Sequence, residues 1–176
     1  MAYIKKAKKI TYENDDKTIY SVKELLEFAR EKAINTEPLD VAALAHQLDL
    51  TVRYEPMSNG VSGSLKKDKK TNRWIITVNS LHHPHRQRFT IAHELCHFFK
   101  HIPLQDEFSD EIFFRGSKFS PMEKEANNFA AELLMPEESF RKQVLISNKV
   151  EDIAKYFQVS SAAVVFRSKE LGYKGE

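Results

Sequence analysis

The stretch that decides the fold is residues 86–101, which read RQRFTIAHELCHFFKH. Its centre is almost entirely apolar, as is typical of a helix buried in the middle of a domain. On such a helix His93 and His97 lie one turn apart on the same face, with Glu94 beside them. This H-E-x-x-H spacing predicts two imidazole ligands of a zinc ion and the general base that usually works with them. A bound metal ion would also compensate the cost of burying these acidic and basic side chains.

The cysteine content distinguishes two kinds of zinc site. A closed structural site normally has four protein ligands and prefers cysteine, whereas this chain contains a single Cys. A catalytic site has three protein ligands and an open position for water. We therefore expect a third ligand downstream of His97.

Three glutamates of the next predicted helix are candidates for this third ligand. Ser120 as N-cap and Glu123 three residues later form a capping box, and this role suffices for Glu123. Glu125 lies at the edge of the apolar stripe, four residues before Phe129, where its carboxylate could reach a metal on a neighbouring helix. Glu125 is the favoured ligand. Glu132 is its main competitor, or a hydrogen-bonding partner of a ligand histidine.

Two blocks of the chain resemble the ImmA/IrrE family of bacterial and phage metallopeptidases. They are residues 86–101 and, after a loop, residues 125–136, EANNFAAELLMP. Residues 74–79 are also similar to the strand that precedes the active helix in that family, and the likeness covers roughly residues 39–136. The family usually has Gly where this chain has Cys96, which is not a ligand position.

The resemblance implies a set of roles and a fold. The metal ligands would be His93, His97 and Glu125, and Glu94 would be the base. The fold would be α+β and zincin-like, with a small three-stranded, mainly antiparallel sheet packed on the active-site helix. Family members typically cut, or control, a helix-turn-helix repressor encoded nearby on a mobile element or stress locus, so we expect a zinc endopeptidase with such a substrate.

The composition is that of an ordinary globular protein. The 176 residues suit one domain with a sizeable core, and the formal net charge of +2 does not favour nucleic acid or membrane as a partner. Residues 1–10 carry four Lys without the apolar core of a signal peptide, and we see no run that could span a bilayer. With a lone Cys, these features predict a cytoplasmic location.

Periodicity and caps predict the remaining elements. Helices are expected near residues 21–34, 40–48, 137–146, 149–157 and 161–171, and strands near 51–54, 61–65 and 73–78. Residues 102–119 lack periodicity and are expected to form a loop, suspected to be a lid. We expect a catalytic core over residues 1–136 and a helical subdomain over 137–176, and we expect the strand containing Gly63 to be the sheet edge that pairs with substrate.

Residues 153–167 have the pattern of a helix-turn-helix, which admits two interpretations. The hairpin could read DNA, or it could pack on the catalytic core. Packing is favoured because only Arg167 and Lys169 offer basic side chains on the second helix, and replacing both should then be nearly neutral. A basic run at residues 5–9 could contact phosphates, although such tails are more often simply solvated.

Several other residues also admit two interpretations. His101 could contact substrate, but a supporting or surface position is favoured. For Cys96 we favour packing over redox control, and for Arg86 and Arg88 structural ion pairing over contact with a substrate carboxylate. Tyr54 and Tyr156 are candidate donors to a reaction oxyanion.

Two functions besides the peptidase remain open. One is a regulatory or toxin–antitoxin component that uses the zincin fold for protein interaction. The other is a DNA-binding regulator that uses the C-terminal hairpin. The presence of all four residues His93, Glu94, His97 and Glu125 favours the enzyme, because a binding module does not need them.

Overall fold

A computed structural model describes residues 21–58, 60–102, 107–110 and 120–173, and for residues 107–110 only the backbone. Its helices are α1 (Val22–Glu31), α2 (Val41–Gln47), α3 (Pro84–Cys96), α4 (Pro121–Leu134), α5 (Glu137–Ile146), α6 (Val150–Phe157) and α7 (Ser161–Glu170). The strands are β1 (Thr51–Glu55), β2 (Gly63–Lys67), β3 (Trp74–Asn79) and β4 (Glu107–Asp110). The basic run at residues 5–9 lies outside the described residues, as does most of the suspected lid.

The strands form one mixed sheet in the order β1-β3-β2-β4. β1 runs parallel to β3, while β2 is antiparallel to both β3 and β4. The predicted α+β fold with a small, mainly antiparallel sheet is thus confirmed, with β4 as an additional strand. β4 lies inside the segment that was expected to be a loop. Its pairing with the edge of β2 is a long-range contact that the local pattern of residues 102–119 does not encode.

This fourth strand corrects one expectation about the sheet edge. β2 was expected to be the edge strand, but it is hydrogen-bonded on both sides, to β3 and to β4. Gly63, at the start of β2, pairs with Val78 on one side and with Asp110 on the other. β2 is therefore an inner strand, which cannot pair with an added peptide.

Capping residues and a proline mark the N-termini of α1 and α3. Ser21 and Glu24 form the expected capping box of α1. Pro84 occupies the first turn of α3, and the His83 ring accepts a hydrogen bond from the His85 N–H at 3.1 Å. The histidines around Pro84 therefore mark a helix start. In the described part of the chain, each helix is too short or too polar to cross a membrane.

One continuous apolar core joins the N-terminal helices, the sheet, α3, α4 and the C-terminal helices. It crosses residue 136, the predicted boundary of the C-terminal subdomain, and includes Phe140, Phe157 and Val164. The side chain of Arg88 on α3 donates to the carbonyl oxygens of Gln158 at 3.1 Å and Phe157 at 3.4 Å. α6 is thus tied directly to the helix that carries the H-E-x-x-H motif, while the boundary itself stays a prediction.

The α6–α7 hairpin buries the side chains that a helix-turn-helix would also bury, and it buries a basic one as well. Ile153, Val159 and Val164 belong to the core. Arg167 is only 6% exposed, and its Nε donates to the Met135 carbonyl at the end of α4, at 3.1 Å. This burial supports the packing interpretation. It also corrects the expectation that replacing Arg167 would be neutral, because the Met135 carbonyl would lose its partner.

Substituting a charged residue for one of the two valines tests this packing. Val159→Asp and Val164→Asp should each lower the free energy of unfolding by at least about 3 kcal/mol, because the new carboxylate would be buried without a partner. Urea denaturation followed by circular dichroism measures the change. Leu145→Asp is the matched control, since Leu145 is 88% exposed and its replacement should change stability little. Wild-type stability in both valine variants would show that the hairpin does not pack as described.

Candidate metal centre

The two histidines of the motif face each other inside the protein. His93, Glu94 and His97 are each 0% exposed. His93 and Glu94 lie on α3, whereas His97 begins a wider π-helical turn, His97–His101, that continues it. The Nε2 atoms of His93 and His97 are 3.0 Å apart. Two buried ring nitrogens at this distance require either a shared proton or a cation between them.

A carboxylate from α4 completes the group. The Glu123 oxygens lie 3.3 Å from His93 Nε2 and 3.4 Å from His97 Nε2. One turn further along α4, the Asn127 Oδ1 atom is 3.0 Å from His93 Nδ1. With Nε2 of His93 directed at the cluster, Nδ1 carries the proton and donates it to the amide oxygen. α4 thus contributes both a third donor atom and a support for the first ligand.

Glu125 is not brought to this cluster. Its carboxylate accepts from Lys100 Nζ at 2.7 Å and lies 3.2 Å from His101 Nε2, and its side chain is 47% exposed. Side chains two residues apart on an α-helix are separated by roughly 200° about the helix axis. Glu123 and Glu125 therefore point to nearly opposite sides of α4. Glu132, the competing candidate, is exposed and lines a surface pocket of about 430 Å³ together with Glu125. The geometry therefore favours Glu123 where the sequence favoured Glu125.

The reasoning that set Glu123 aside was incomplete. The Ser120 hydroxyl accepts a hydrogen bond from the Glu123 backbone N–H at 3.2 Å, as the cap prediction required. This contact uses the main chain of Glu123 and leaves its carboxylate available to the imidazoles. The sequence signal for Glu123 becomes usable only when the face of α4 that packs on α3 is known, because that face continues from Glu123 at helical spacing. Its members are Ala126, Asn127, Ala130, Ala131 and Leu134.

The cluster fits a metal ion. Donor atoms of His93, His97 and Glu123 all lie within 4.8 Å of one another, the one such group found among the described residues. Tetrahedral zinc, with bonds of about 2.0–2.1 Å, places its donor atoms roughly 3.3 Å apart. The separations of 3.0, 3.3 and 3.4 Å agree with that requirement. Two imidazoles and one carboxylate are also a donor set of catalytic rather than structural zinc sites.

The electrostatics of the cluster match a ligand role for Glu123. Burial raises the pKa of the Glu123 carboxyl, but hydrogen bonds and charge interactions with His93 and His97 outweigh it and hold the pKa well below its usual range. The carboxylate is therefore ionised at neutral pH, as metal ligation requires. Cys96 behaves differently, since burial raises its pKa to about 12. Its thiol stays protonated, which supports packing over redox control.

Strand β2 approaches the motif at a glycine. A Cβ atom added to Gly63 would lie 2.3 Å from the Thr90 Cγ2 atom and 3.0 Å from the Glu94 Oε1 atom. Only a residue without a side chain allows β2 to lie this close to α3. The backbone of Gly63 consequently forms one wall around the Glu94 carboxylate.

The remaining candidates have structural partners. The Arg86 guanidinium donates to the Ser62 hydroxyl at 2.8 Å, and Arg88 binds the carbonyls at the end of α6. The Tyr156 hydroxyl donates to Glu37 at 2.9 Å. Tyr54 is 50% exposed on β1. The Glu37 contact of Tyr156 and the exposure of Tyr54 do not support an oxyanion role for either tyrosine.

Comparison with known proteins identifies the family. A model of a peptidase family, described as the IrrE N-terminal-like domain, matches residues 45–169, which is well over half of the chain. The chain belongs to this family. The family match includes the α6–α7 hairpin as well as the cluster, so both are part of the family domain.

Two relatives support the assignment. The chain is 32% identical over 114 residues to the metallopeptidase ImmA of Bacillus subtilis (strain 168), a match that covers 63% of this chain and 64% of that protein. A solved structure of a Mycobacterium tuberculosis transcriptional regulator superposes with a TM-score of 0.56 at 17% identity. That superposition covers 83% of this chain and 45% of the regulator, and at this identity it shows a shared fold.

Adding a methyl group at Gly63 tests the close approach of β2 to the motif. Gly63→Ala should lower stability by about 1–3 kcal/mol, since the new Cβ overlaps the Thr90 methyl group. Thr90→Ser removes that methyl and keeps the hydroxyl that donates to the Arg86 carbonyl at 3.0 Å. The double variant should therefore recover part of the loss, measured by thermal unfolding. Full additivity of the two single changes would contradict the described contact.

Proposed function

We propose that the protein is a zinc-dependent endopeptidase in which His93, His97 and Glu123 bind the metal and Glu94 is the general base. The observation that carries the proposal is the convergence of three donor atoms at zinc-compatible separations. Glu94, which follows His93 in the sequence, has a fully buried carboxylate. Membership of a peptidase family points in the same direction.

The roles of the chain's own residues follow from their positions. When bound, zinc would act as a Lewis acid that polarises the attacking water and the scissile carbonyl. Glu94 would accept a proton from the attacking water and deliver it to the departing amine. Asn127 would hold the ring of His93 in the tautomer whose Nε2 lone pair faces the cluster. The lack of a side chain at Gly63 would leave room for the Glu94 carboxylate.

For the substrate we propose a helix-turn-helix transcriptional repressor, which would place the reaction in the cytoplasm. This proposal rests on the resemblance to the ImmA/IrrE family. The chain spans about two thirds of the length of the ImmA relative and less than half of the regulator, so activity and substrate of the whole protein are both proposed. Direct DNA reading by the α6–α7 hairpin is not favoured, because Arg167 is buried against α4.

Zinc content tests the ligand set. The protein purified with zinc should carry one ion per chain, and His93→Ala, His97→Ala or Glu123→Ala should each strip it, since loss of a ligand removes a large part of the binding free energy. Elemental analysis after gel filtration measures the content. Glu132→Ala is the matched control, since Glu132 is exposed on the same helix, and this variant should retain the ion. Complete loss of zinc in Glu125→Ala together with a loaded Glu123→Ala would restore Glu125 as the ligand.

Replacing the proposed general base, Glu94, distinguishes a peptidase from a protein that only binds its partner. Glu94→Gln should keep zinc and fold but reduce cleavage of the repressor encoded by a neighbouring gene by at least about 100-fold, because the amide keeps the shape and cannot accept a proton. Purified repressor incubated with each variant and resolved by electrophoresis gives the rate. If the zinc-loaded variant retained full biological activity, the non-proteolytic interaction function would replace the peptidase.

A further inference from the structure

A second set of hydrogen bonds leads away from His97 to the protein surface. The Nδ1 atoms of His97 and His101 are 2.8 Å apart. On the other side of the His101 ring, Nε2 lies 3.2 Å from the Glu125 Oε2 atom, and Lys100 Nζ lies 2.7 Å from the Glu125 Oε1 atom. The contacts form an unbroken chain from a buried ring to an exposed ion pair.

If the Nε2 atom of His97 faces the metal, only one arrangement of protons gives each of these hydrogen bonds a donor and an acceptor. Nδ1 of His97 must then carry its proton and donate it to His101 Nδ1. His101 consequently carries its own proton on Nε2, which faces the Glu125 carboxylate. Lys100 also donates to that carboxylate, so every donor meets an acceptor and no two N–H groups face each other. The direction of all the hydrogen bonds follows from the ligand role of His97.

We propose that His101 and Glu125 are positioning residues for the metal site, which hold ligand His97 in its metal-binding tautomer and ring orientation. The inference rests on the proposed ligand set. It assigns Glu125 a role other than the ligation that its sequence position suggested. Glu125 acts on the site through His101, and His101 acts through His97.

The other ligand provides an internal comparison. The Nδ1 atom of His93 faces the Asn127 amide, whose oxygen accepts from it at 3.0 Å. His97 is held at the equivalent nitrogen by an imidazole backed by a carboxylate. A carboxylate behind a ligand histidine raises the basicity of the ring and fixes its orientation, and loss of such outer partners typically weakens metal binding by roughly 10- to 100-fold.

The helix geometry explains why His101 reaches His97. His93, His97 and His101 follow each other at intervals of four residues, and the last interval coincides with the π-helical turn. The His97 and His101 rings are tilted by 53° to each other with centroids 4.8 Å apart, the same separation as for His93 and His97. π-helical turns within α-helices are rare and occur frequently at functional sites.

The affinity for zinc tests the proposal without reference to turnover. In competition with a chromophoric chelator at one fixed pH, His101→Ala should raise the zinc Kd by roughly 10- to 100-fold. His101→Asn should restore most of the affinity, because its amide oxygen can accept from His97 as the Asn127 amide does from His93. Glu132→Ala is the matched control, since Glu132 is exposed on the same helix as Glu125 and takes no part in the hydrogen bonds that link His97, His101, Glu125 and Lys100. Its Kd should equal that of the wild type.

A double variant tests whether Glu125 acts through His101. Glu125→Ala alone should weaken zinc binding, but it should add nothing to His101→Ala, because the path to His97 is already broken. Glu125 is exposed, so its variant remains informative even if His101→Ala folds poorly. Three results would overturn the proposal: an unchanged Kd in His101→Ala, a failure of His101→Asn to do better than alanine, or additive effects of the two alanine changes. Zinc retention by Glu123→Ala would instead refute the ligand set itself.

Discussion

The site depends on the packing of α4 against α3. This contact places the Glu123 carboxylate, whose side chain is 29% exposed, opposite the fully buried imidazoles of His93 and His97. Facing imidazoles in an apolar core are unfavourable without a compensating group, and in the proposed site Glu123 and a metal ion would provide one. The small residues on the contact face of α4, among them Ala126 and Ala130, allow the two helices to approach closely enough for this to happen.

The two histidines of the H-E-x-x-H motif are supported in different ways. His93 is oriented from α4 by Asn127, so its position depends on the same helix contact that brings Glu123. His97 is oriented from its own helix by His101, with Glu125 behind it. In the proposed site, Glu123 and Glu125 would act on the same centre from opposite sides of α4, and their two-residue spacing makes this arrangement possible.

The C-terminal hairpin shows how a helix-turn-helix pattern can be read in two ways. Its apolar residues would be buried in either role, so the pattern alone does not distinguish them. The environment of Arg167 does, because a guanidinium bonded to the end of α4 is not available to a phosphate or a base. Arg88 adds a second link, from α3 to the end of α6. The hairpin is therefore part of the scaffold that fixes the active helix.

The sequence by itself determined the features that are local in the chain. Helical spacing alone sets His93, His97 and Glu94 on adjoining faces, and caps such as Ser21 and Ser120 mark helix starts within a residue of their observed positions. What only the tertiary structure decided are relations between segments distant in sequence. β4 exists because it pairs with β2, and the third donor depends on which face of α4 meets α3. Glu123 and Glu125 have nearly the same local environment in sequence, and rotation of one helix against another distinguishes them.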